Sequence, residues 1–184
     1  MPADIILIGP SQAGKSTLGR LLAEKLDRPQ YSLDQLRWTY YREIGYDQEL
    51  SNELRRRGGF VARVLYWSLF NAYAIERLLS EHRDGVFDLG AGPLTFESDE
   101  LVARVRRALE PYPNVVMILP SPDPDESIRI LDERLAREPA ELNFDFASRF
   151  VRHPANHALA KLTVYTRDKT PEETRDEIIR LTAA

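Results

Sequence analysis

The sequence predicts an α/β fold built on a parallel, doubly wound sheet, and three observations predict it. Short apolar runs rich in Val, Ile and Leu recur along the 184 residues, without the polar alternation of half-exposed strands. Longer stretches with apolar residues three and four positions apart separate them, the period of an amphipathic helix. A glycine-bounded loop, GPSQAGKST, follows the first apolar run directly and opens the first helical stretch. Strand–helix alternation of this kind implies parallel strands with ligands at their carboxyl ends.

The expected strands are Asp4–Ile8, Gln30–Leu33, Gly85–Leu89, Asn114–Leu119 and Leu162–Thr166. After the glycine loop, Leu18, Leu21, Leu22 and Leu26 fall on one helical face. Helices are also expected over Ser98–Leu109 and Pro124–Arg137, the latter with Ile128, Leu131 and Leu135 as its apolar stripe. The last helix opens with TPEE: Thr170 suits the N-cap, Pro171 the first helical position, and Glu173 completes a capping box. About fifty residues between the second and third strands break this rhythm, and positions 35–83 form a helical excursion within a single domain of residues 1–184. Both tryptophans and five of the eight tyrosines lie there, in RWTYYREIGY and GGFVARVLYWSLFNAY. RRRGG, Arg55–Gly59, is the expected hinge between two helices of the excursion. Its aromatics either form the core of that subdomain or line an acceptor pocket.

Composition narrows the chemistry. No cysteine is present, which excludes a disulfide framework, thiolate metal sites and a cysteine nucleophile. The three histidines, His82, His153 and His157, lack metal-like spacing, and the last two are expected at the surface or at helix ends. A net charge of -4 argues against general affinity for nucleic-acid backbone. The opening MPADIILIGP carries no basic segment and no apolar run near twenty residues, so no membrane association and a cytoplasmic location are expected.

Lysine is scarce, and one of four sits inside the glycine loop. GPSQAGKS fits G-x-x-x-x-G-K-[ST], with Gly9, Gly14, Lys15 and Ser16 in the defining places. The two glycines let the backbone curl so that consecutive N–H groups of Gly9, Pro10, Ser11, Gln12, Ala13, Gly14, Lys15, Ser16 and Thr17 (Pro10 excepted) surround phosphate oxygens. The helix that follows adds the positive end of its dipole. Lys15 supplies a point charge to the outer phosphates, and the Ser16 hydroxyl is placed for Mg²⁺.

With the loop in place, the chain resembles shikimate kinase and related small P-loop kinases over most of its length. GPSQAGKSTLGRLLAEKL looks like that family's opening, and YSLDQL is similar to its second-strand motif, with Asp34 where an aspartate meets the acceptor hydroxyl. DGVFDLGAG resembles the third strand and glycine turn, with Gly90 and Gly92 matching two glycines. RHPANHALAKLTVYT puts Arg152 on the substrate-binding arginine and also matches at Pro154. Arg134 resembles the arginine that packs on adenine, and Arg137 a lid arginine over the phosphates. The departures are Ser32 for the first aspartate of the second-strand motif, Ala91 for the third glycine of the turn, and GGFVARVLYW for the Phe-Arg-x-x-Glu signature. Arg63 is the remaining candidate in that last stretch. Asp88, an acid ending an apolar strand, stands where many P-loop proteins keep a metal-associated carboxylate.

The resemblance implies a three-layer α/β/α P-loop kinase fold: a five-stranded parallel sheet with a helical excursion on the substrate side. It implies ATP and Mg²⁺, and transfer of the γ-phosphate to a hydroxyl of a small molecule other than shikimate. Lys15, Asp34 and Arg137 would be catalytic; Arg63, Gly90, Gly92 and Arg152 would face the acceptor; Ser16 and Asp88 would organise the metal. Residues 137–152 are the candidate lid, and the protein is a monomer or homodimer. Asp34 has the alternative role of capping the helix that enters at Gln35. Two other functions stay open. One is a nucleotide-binding or sensor protein without turnover; the other is a nucleoside or nucleotide kinase in which Trp38 and Trp67 stack a base.

Overall fold

The computed structural model describes residues 3–90, 98–136 and 146–182. The chain runs β1 (Ile5–Ile8), α1 (Lys15–Leu26), β2 (Gln30–Ser32), α2 (Leu33–Glu43), α3 (Gln48–Glu81), β3 (Val86–Asp88) and α4 (Asp99–Leu109). It continues through β4 (Asn114–Leu119), α5 (Pro124–Leu135), α6 (Phe146–Arg152), α7 (Pro154–Leu159), β5 (Leu162–Tyr165) and α8 (Pro171–Thr182). All five strands pair in parallel, in the order β2-β3-β1-β4-β5. Each expected strand is present, trimmed at most by a residue at one or both ends.

The apolar runs explain the order. β1, β3 and β4 are buried at every position, as central strands covered on both faces must be, whereas β2 and β5 lie at the edges and are partly exposed. Ile6, Leu7, Ile8, Val86, Phe87 and Val116 have no exposed surface, and full burial of such a side chain stabilises by about 1.5–3 kcal/mol. Helix α1 presents Leu18 and Leu22 to this sheet, while Arg20 and Glu24 pair on its outer face. The capping box of α8 is formed as expected. Thr170 Oγ1 accepts from the Glu173 N–H at 3.1 Å, and the Glu173 carboxylate accepts from the Thr170 N–H at 2.7 Å.

The excursion consists of α2 and the 34-residue α3, which pack on each other. The helical path of α3 breaks at Gly59, at φ 71° and ψ −166°, inside the expected hinge. The aromatics form the subdomain core rather than an open wall. Trp38 meets Tyr41, Tyr46 and Trp67 at ring separations of 5.3, 5.5 and 6.2 Å, and the Trp67 indole N–H donates to the Tyr46 hydroxyl. Among the described residues, no helix is long and apolar enough to cross a membrane.

Candidate functional site

The loop between β1 and α1 leaves the carboxyl end of a central strand. At Gly9 a Cβ would lie 2.6 Å from the Ile118 carbonyl oxygen on β4, so only glycine lets the chain pass that close to the sheet. The turn then runs through Gln12 at φ 62° and Gly14 at φ 96°, which is the N-cap of α1. Gly14 has no side chain to cap the helix, so the first N–H groups of α1 have no side-chain cap. Lys15 is 6% exposed, and its ammonium donates to the Pro10 carbonyl across the loop at 2.8 Å. Burial pushes its pKa below the ordinary lysine value, against the opposing pull of the Asp88 and Asp34 carboxylates.

Asp88 closes β3 with 1% exposure. One of its oxygens accepts from the Ser16 hydroxyl at 2.7 Å and the other from the Gly90 N–H at 3.0 Å. Strand register puts Asp88 beside Leu7 of β1 and Ser32 of β2, directly under the loop. A hydroxyl and a carboxylate at this separation are a hard-oxygen pair suited to Mg²⁺, which binds through few protein oxygens and takes the rest from phosphate and water. No cluster of three acidic or histidine side chains able to hold a metal occurs among the described residues, so this pair is the metal candidate.

Asp34 sits in the first turn of α2, one residue inside a helix that starts at Leu33, so it does not cap that helix; the N-cap is Ser32. Its carboxylate reaches the loop: Asp34 and residues Ser11, Gln12, Gly14 and Lys15 line one cavity of about 260 Å³, with Ser16 and Thr17. Gly90, at φ 69°, backs the carboxylate so closely that a Cβ there would lie 2.9 Å from Asp34 Oδ1. Sequence reasoning missed Arg37. Its guanidinium is 3.2 Å from Asp34 Oδ1 and lies over the Trp38 ring at 4.9 Å. The signal was the three-residue spacing in DQLR, legible once Asp34 is placed inside the helix rather than ahead of it.

Arg134 donates to the Gln12 carbonyl at 2.9 Å and so braces the turn of the loop. It also walls a second cavity of about 170 Å³ that adjoins Gly14 and Thr17 and is closed by Thr166 and Lys169 of the β5–α8 connection and by Pro171 at the start of α8. The Thr166 hydroxyl is buried and has no hydrogen-bond partner among the described residues. Those three residues were also missed, because nothing in TRDKTP marks a site until the fold brings it against α1.

Of the remaining candidates, Arg63 and Arg152 line neither cavity. Arg63 stacks on Trp67 at 4.1 Å, in the α3 limb that follows Gly59. Arg152 pairs with Asp125 at the start of α5, both largely exposed. Arg137 and Gly92 lie outside the described residues, as does most of the candidate lid, whose final part is α6. His153 is the N-cap of α7, a helix end as expected. A wider cavity of about 700 Å³ opens at the opposite, amino ends of the strands, between α3 and α4. It contains none of the residues marked by the sequence.

No protein-family model matches the sequence, and no curated protein matches it. Solved structures do. Shikimate kinase from Acinetobacter baumannii in complex with shikimate superposes with a TM-score of 0.64 at 22% identity, over 97% of this chain and 92% of that one. Shikimate kinase from Bacteroides thetaiotaomicron gives 0.60 at 20% identity, over 99% of both chains. A gluconokinase from Sinorhizobium meliloti gives 0.56 at 16% identity, over 99% and 94%. The fold is thus that of the P-loop kinases. Within that class it is similar to the shikimate kinase-like small-molecule kinases, as the sequence resemblance implied.

Proposed function

We propose that the protein is an ATP- and Mg²⁺-dependent phosphotransferase that moves the γ-phosphate to a hydroxyl of a small molecule other than shikimate. One observation carries this reading: Asp34 and the phosphate-loop residues line the same cavity, so a carboxylate faces the place where an outer phosphate would end. The loop N–H groups and Lys15 hold the β- and γ-phosphates, and the base lies in the cavity walled by Arg134 and Thr166. Bound through Ser16 and Asp88, Mg²⁺ would neutralise charge on the phosphates. Asp34 orients the acceptor hydroxyl and takes its proton as transfer proceeds. Positions 35–83 carry the acceptor side, and positions 137–152 act as a lid with Arg137 over the transferring group. Arg63 and Arg152 are the acceptor-side arginines that the resemblance implies, and Arg152 must release Asp125 to reach an acceptor. Gly90 lies beside Asp34, and the resemblance implies Gly92 as a second acceptor-side glycine.

The faces of Trp38 and Trp67 carry Arg37 and Arg63, which leaves them poorly placed to stack a base and weakens the nucleoside kinase reading. The test is ADP release from ATP and Mg²⁺ across a panel of sugar acids, polyols and hydroxy acids. One acceptor should give turnover that Asp34→Asn removes while nucleotide still binds. Binding of ATP with no turnover on any acceptor, and no effect of Asp34→Asn, would leave the sensor reading in its place.

A further inference from the structure

Arg37 is a cation within contact of the residue read here as the base, and its side chain is only partly committed. The single contact to Asp34, at 3.2 Å, joins a half-exposed carboxylate to a guanidinium that is 23% exposed. The Arg37 Nε is buried and has no hydrogen-bond partner among the described residues. The guanidinium rests on Trp38 while it contacts Asp34, and lies 6.0 Å from Trp67, whose ring also carries Arg63. Gly90 stands behind the half-exposed Asp34 carboxylate, where an added Cβ would come within 2.9 Å of Oδ1.

We infer that Arg37 is an acceptor-operated latch on Asp34. This rests on the phosphotransferase reading. With the acceptor site empty, Arg37 holds the carboxylate and occupies an oxygen that would otherwise orient a water against the γ-phosphate. An acceptor bearing a carboxylate or phosphate offers the guanidinium a bidentate partner, which a planar fork prefers to one exposed contact. Arg37 then leaves Asp34 and holds the acceptor, and the carboxylate is free for the hydroxyl. The latch thus selects acceptors that carry an anionic group and suppresses loss of ATP to water. In that side reaction the water oxygen bonds to phosphorus, the bond to the β-phosphate oxygen breaks, and the water proton passes to Asp34.

The test is ATP hydrolysis without acceptor. Arg37→Ala should raise it about tenfold, a fraction of what a positioned general base contributes, and Arg37→Ala with Asp34→Asn should return it to the wild-type level or below. Succinate or inorganic sulfate, anions with no hydroxyl to phosphorylate, should stimulate hydrolysis in the wild type and not in Arg37→Ala. The two anions separate a carboxylate-reading latch from one that takes tetrahedral oxyanions. If Arg37→Ala leaves hydrolysis unchanged or lowers it while Lys15→Ala abolishes it, the latch is wrong and the phosphate loop stands. If Lys15→Ala also changes nothing, both readings fall.

Discussion

Replacing Lys15 with Met separates the energetics of the folded chain from those of its ligand. Lys15 is 6% exposed, its ammonium donates to the Pro10 carbonyl, and desolvation is the dominant influence on its pKa. A cation so placed costs the unliganded fold free energy, whereas Met fills the same volume without charge. Lys15→Met should therefore raise the melting temperature of the free protein. Binding should move the other way. A charge-assisted contact to phosphate contributes about 1.5–3 kcal/mol, so ATP affinity should fall about tenfold to about a hundredfold. The pH dependence has a definite sign. The folded pKa lies below the ordinary 10.5, so the unfolded chain binds more protons in that interval, and stability is gained as pH rises through the folded value toward 10.5. A bound polyphosphate restores the charge, so ATP binding in the same interval should take up a proton, which Lys15→Met should abolish. Calorimetry in two buffers of different ionisation enthalpy reads both affinity and proton uptake. Unchanged ATP affinity together with a lower melting temperature would refute the reasoning.

Three further outcomes follow from the geometry. Asp88→Asn or Ser16→Ala breaks the 2.7 Å pair, and Mg²⁺ titration of nucleotide binding should show the metal requirement rise by about 10- to 100-fold. Gly90→Ala puts a methyl 2.9 Å from Asp34 Oδ1 at a φ of 69°, which should cost about 1–3 kcal/mol in urea unfolding and reduce transfer more than nucleotide binding. Arg134→Ala removes the brace on Gln12, a non-glycine residue at φ 62°, and should weaken nucleotide binding severalfold in a fluorescence titration with little change in stability.

The sheet was legible because its central strands are continuous apolar runs; the Asn114–Leu119 prediction coincides with β4. Ends shifted where helix and strand propensity meet. Leu33, fully buried, reads as the last residue of a strand but opens α2, and that shift alone moved Asp34 from the cap to the first turn. The glycine loop between β1 and α1 was legible because its pattern is local, within nine consecutive residues. Thr166 was not, because it acquires its meaning from α1, which the fold brings across from it. Arg37, three residues from Asp34 and next to Trp38, becomes legible only once Asp34 is placed inside the first turn of α2. Arg152 shows the converse. Its acceptor role is implied only by the family resemblance, and the helix that carries it packs on α5 and pairs it with Asp125.

A crystal structure with a non-hydrolysable ATP analogue and Mg²⁺ tests the central claim most directly. The account predicts the β- and γ-phosphates in the cavity between the loop and Asp34, with Lys15 Nζ moved from the Pro10 carbonyl onto phosphate oxygen and the metal beside Ser16. A triphosphate bound elsewhere, with Lys15 still on Pro10, would contradict it.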